Sequence, residues 1–83
     1  MSAFIPEADM MRKNWTEHDL HTAEAHVKRG EEIIALQRQR IERIEQEGGE
    51  AVAARQTLAL MEIQQQELIE HRDLVATALN EFV

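Results

Sequence analysis

Four histidines offer the first candidate chemistry. His26 and His71 lie nearly equidistant from a central glycine pair, Glu67 stands one turn before His71, and His18 and His21 are three residues apart. Residues three or four apart share a helix face, and two imidazoles with a carboxylate form a ligand set suited to zinc. The di-iron bundle signature needs Glu-x-x-His, however, and no glutamate here has a histidine three residues later. The histidines are therefore expected to be solvated surface residues, with no metal and no other cofactor; a histidine-based metal binder is the second alternative function.

Phosphate binding is the second chemistry to weigh. Lys28, Arg29, Arg38, Arg40 and Arg43 gather in the middle of the expected first helix, a face of which could lie along a nucleic acid backbone. An RNA-binding hairpin dimer, similar in architecture to the plasmid copy-control protein Rop, is the alternative function they suggest. Glu31, Glu32, Glu42, Glu45 and Glu47 interleave with these cations, and such alternation marks a solvated, salt-bridged face. With 16 acidic residues against 9 basic ones, the net charge of −7 repels nucleic acid and anionic membranes alike. Neither is the expected partner.

Hydrolytic or transfer chemistry finds no foothold. The chain has one serine, Ser2, and contains no G-x-S-x-G, P-loop or G-x-G-x-x-G motif, so no enzyme activity is expected. No cysteine is present, which removes disulfides and thiolate metal sites and fits a reducing compartment, the cytoplasm. The opening Met1-Ser2-Ala3-Phe4-Ile5-Pro6-Glu7 predicts no signal peptide. The longest apolar runs, such as Leu58-Ala59-Leu60-Met61, are four residues against the ~18 needed to span a bilayer.

The elements that would position these residues are helices. Gly48-Gly49 lies just past the midpoint, flanked on each side by a proline-free segment rich in Ala, Leu, Glu, Gln and Arg. This predicts a helix over 16–47, a turn at 48–49 and a helix over 50–82, with Thr16 as N-cap and Asp19 in the capping-box place. Leu20, Ala23, Val27, Gly30, Ile34, Gln37, Ile41 and Ile44 recur at alternating spacings of three and four, an a/d heptad stripe. Ala51, Ala54, Leu58, Met61, Gln65, Leu68, Arg72, Val75, Leu79 and Phe82 form the second stripe. A turn this short makes the helices antiparallel, pairing seam positions whose numbers sum to about 98 or 99.

On that register Gln37 and Gln65 fall in adjacent layers where they could bond each other, and Arg72 covers Val27 while its guanidinium reaches toward Glu24 or Glu31. Antiparallel e positions face one another, which puts Arg38 near Glu62 and Glu45 near Arg55.

Ala23-Glu24-Ala25-His26-Val27, Gly30-Glu31, Gln37-Arg38, Gly48, Leu58 and His71-Arg72-Asp73, read together, resemble a group of short, uncharacterised proteobacterial helical-hairpin proteins. The likeness covers about two thirds of the chain, from Leu20 to Val75. It implies a helical hairpin and carries over no catalytic or binding residue.

Two features lie outside the seam. Residues 1–15 are expected to form an arm, flexible or opened into a short helix by Pro6, in which Met10, Met11 and Trp15 either supply a surface for docking a partner or cover the open end of the hairpin near Phe82. Ile33, Leu36, Leu60, Ile63 and Leu74 form a second apolar stripe that a two-helix protein cannot bury within itself. The expected architecture is thus an all-α, coiled-coil-like antiparallel hairpin that assembles into a four-helix bundle as a homodimer. Its expected role is a non-catalytic interaction or scaffold module that binds itself, with another protein as the second candidate partner.

Overall fold

The structure is a computed structural model that describes residues 14–81. Two helices, α1 (Glu17–Gln46) and α2 (Val52–Glu81), pack against each other as an antiparallel hairpin. Met10 and Met11 of the arm lie outside the described residues, as does Phe82 at the end of the second stripe.

The start of α1 is fixed by reciprocal bonds. The Thr16 backbone is extended (φ −113°, ψ 166°), its Oγ1 accepts from the Asp19 N–H at 3.2 Å, and Asp19 Oδ2 accepts from the Thr16 N–H at 2.9 Å. Two of the orphan donors at the helix start are satisfied in this way. Glu17 and Asp19 also place negative charge at the positive end of the helix dipole.

The end of α1 is fixed by Gly48. Its φ of +81° is a left-handed backbone that a side chain at that position would oppose. The Gly49 N–H then donates to the Ile44 carbonyl at 2.9 Å and the Gly48 N–H to the Glu45 carbonyl at 3.1 Å, the two bonds of a Schellman cap. The connection is longer than expected, because α1 stops at Gln46 and α2 starts at Val52 rather than at residue 50. Glu50 is exposed, and Ala51 leads into α2. Ala51 is buried, and its carbonyl accepts the first helical bond of α2 from Arg55 at 2.8 Å.

The core follows the heptad stripe. Ala23, Val27, Ile34 and Ile41 from α1 are buried with Val75 from α2, and Gln37 and Gln65 are buried among them. Leu20, Ile44, Leu58, Met61, Leu68 and Leu79 are only half-buried, as expected of a seam that two helices cover from one side each. Ala78 is fully buried although it holds a g position beside the seam.

Register is set by polar contacts. Arg38 Nη2 lies 3.6 Å from Glu62 Oε1 and Arg55 Nη2 lies 2.7 Å from Glu45 Oε2, both pairs as expected from facing e positions. The glutamines behave differently from the expectation. They do not bond each other: Gln37 Nε2 donates to the Ala54 carbonyl and Gln65 Nε2 to the Val27 carbonyl, each at 2.9 Å. A helical carbonyl has a second lone pair beyond its helix bond, and the missing side chain at Gly30 opens the approach to that of Val27. A Cβ built on Gly30 would overlap the Gln65 carboxamide, so any side chain at position 30 has to displace that group.

Arg72 also departs from the expected contact. It borders a groove with Val27, Glu24 and Glu31, yet its Nε and Nη2 donate to Asp73 Oδ1 at 3.1 and 3.0 Å. The adjacent carboxylate is closer at hand than either glutamate across the seam.

Candidate interaction surface

The hairpin has two unlike flanks. The e flank carries the cross-helix ion pairs and an open groove of about 840 Å³ bordered by charged residues, Glu24, Lys28, Glu31 and Arg72 among them. The g flank carries a smaller cleft of about 220 Å³ between the helices, where Gly30, Ile33 and Ile34 of α1 meet Met61, Gln64 and Leu68 of α2. Its lining is mostly apolar. At this size it falls short of the ~300–1,000 Å³ of a typical ligand pocket and suits an inserted side chain.

Helix geometry joins the off-seam residues to that cleft. Leu36 lies three residues beyond Ile33, and Leu60 lies four before Gln64, so each shares a face with a cleft-lining residue. Leu60 is 66% exposed, Leu36 59%, Ile63 58% and Ile33 37%, values that leave large aliphatic side chains in water at mid-height of the hairpin. Ile63 sits at an f position, on the back of α2 and next to Leu60. Leu74 is half-buried and lies farther along the same flank, where it contributes less apolar surface than expected. Val52, 61% exposed in the first turn of α2, joins the exposed aliphatics without having been singled out from the sequence. Its b position lies toward the e flank, away from the others.

The histidines divide. His18, His21 and His26 are exposed; His26 borders the g-flank cleft. His71 is half-buried and meets Trp15 edge-on, with ring centroids 5.5 Å apart and planes at 77°, an arrangement that aromatic quadrupoles favour. Trp15 is therefore seated on the hairpin near the start of α1. Among the described residues, no three or more His, Cys, Asp or Glu side chains gather to hold a metal ion.

Cations and anions on the g flank are unevenly paired. Arg29 contacts Glu32 at 3.4 Å on its own helix, whereas Arg40, Arg43 and Glu67 form no ion pair among the described residues. No described helix is long and apolar enough to cross a membrane. No protein-family model matches the chain, and no curated protein or solved structure matches it either.

Proposed function

We propose that this chain is a non-catalytic interaction or scaffold module that associates with itself through the g flank, forming a four-helix bundle from two hairpins. The observation that carries this reading is the exposure of Leu36 and Leu60 beside an apolar cleft, with Ile33 between them and the seam. Side chains of this size gain roughly 1.5 to 3 kcal/mol each when fully buried, so a shared patch of several supplies enough free energy to associate. The half-buried seam residues add to that drive, because a second hairpin covers what the first leaves open. A cysteine-free acidic chain of this kind fits a reducing, cytoplasmic setting.

Light scattering coupled to size exclusion tests the reading. The wild type is expected to run at twice the chain mass of 9.6 kDa, and Leu36→Asp with Leu60→Asp to run at the chain mass while keeping its helicity. A doubly substituted protein that still assembles would place the interface elsewhere.

A further inference from the structure

Two-fold pairing of g flanks allows two alignments, and the charges on the flank separate them. With the symmetry axis along the hairpin, α1 of one protomer faces α2 of the other and both turns lie at the same end. With the axis across the hairpin, α1 faces α1 and the turns lie at opposite ends. Level along the hairpin is read from its cross-helix contacts, whose residue numbers sum to 91 and 92 for the two glutamine bonds, to 95 for Gly30 with Gln65 and to 100 for both e-flank ion pairs.

In the first alignment, residues at the same level meet across the interface. Leu36 then meets Leu60, and Arg29 meets Glu67, since both combinations fall inside that window. Arg29 borders the g-flank cleft, and Glu67 shares its face with Gln64, three residues before it, and with His71, four residues after it. Glu67 is exposed and forms no ion pair among the described residues. The second alignment, centred on the aliphatic pair, sets Ile33 against Leu36. It necessarily sets Arg29 against Arg40, because these arginines lie four residues outside the pair on either side. That contact occurs twice by symmetry, and each occurrence is repulsive.

We infer that a second copy of this chain docks on the g flank with its turn at the same end, α1 on α2, so that Arg29 of each protomer pairs with Glu67 of the other. This rests on the self-association proposed above and goes beyond it by fixing the alignment and the pairing residues. Arg40 and Arg43 then face the partner at the level of Ala53 and Thr57; Arg55, at the same level, is an e position on the opposite flank, where it pairs with Glu45.

Charge exchange provides the test, with sedimentation equilibrium for association and far-UV circular dichroism for folding. Arg29→Glu and Glu67→Arg should each raise the dimer dissociation constant on the order of 10-fold, since two symmetry-related rim pairs turn repulsive. The double exchange should return it to the wild-type value. An Arg29→Glu dimer as tight as wild type or tighter, or a double variant no better than the singles, overturns the alignment while leaving self-association standing. A wild type that is monomeric at every concentration overturns both. Because the chain has no native cysteine, oxidation gives an independent check. Mixed Arg29→Cys and Glu67→Cys chains should cross-link to each other. Cross-linking of Arg29→Cys chains to Arg40→Cys chains instead would identify the other alignment.

Discussion

Gly30 and Gln65 act as one unit. An exposed glycine within a helix gains about 1 kcal/mol when replaced by alanine, yet here the new methyl would occupy the space of the Gln65 carboxamide. Gln65 is buried, its Nε2 holds the Val27 carbonyl, and its Oε1 has no hydrogen-bond partner among the described residues. Displacing it breaks a cross-helix bond inside the seam and strands a second polar group, at a cost of about 1–3 kcal/mol. Gly30→Ala is therefore expected to destabilise the hairpin by about 1 kcal/mol, and to stabilise it by a similar amount when Gln65→Ala has removed the obstacle. Urea unfolding of the four proteins in this cycle checks the sign change; additive effects would show that the two residues are independent. The sequence marks both residues as exceptions in the apolar stripe, which is how they attract notice. It does not show their partners, because which carbonyl a glutamine reaches depends on how closely two backbones approach.

At the scale of the elements, the caps decide where the helices end. Gly48→Ala forces a side chain into a left-handed backbone and is expected to cost about 1–2 kcal/mol, whereas Thr16→Ala removes the capping box for a cost of ~1 kcal/mol. Thermal unfolding followed at 222 nm compares them; a Gly48→Ala protein as stable as wild type would show that the left-handed residue is not required. Both boundary signals are legible in the sequence, since a capping box and a glycine pair are local patterns with a local physical cause. The start of α2 is not, because Ala51 has no capping side chain and is held at the boundary by burial against the seam. The e-flank pairs are legible for a different reason: heptad phase and a short turn leave Arg38 opposite Glu62 and Glu45 opposite Arg55. Being half exposed or more, these pairs contribute ~0–1 kcal/mol each and select the register more than they stabilise it.

The whole molecule poses the question that its parts leave open. Two helices cover one seam, and the g flank retains Ile33, Leu36 and Leu60 around a cleft too small for most ligands. The stripe of these residues is legible from helical spacing, but its division is not: Leu74 withdraws into partial burial and Ile63 turns to the back, details that depend on side-chain packing. The proposed burial by a second hairpin would account together for the aliphatic patch, the half-covered seam and a Glu67 that forms no ion pair among the described residues. Sedimentation equilibrium of the wild-type protein across the micromolar range tests this most directly. A self-associating hairpin shifts with rising concentration toward twice the 9.6 kDa chain mass; a mass that stays at 9.6 kDa up to several hundred micromolar, roughly −5 kcal/mol in association free energy, would contradict self-association.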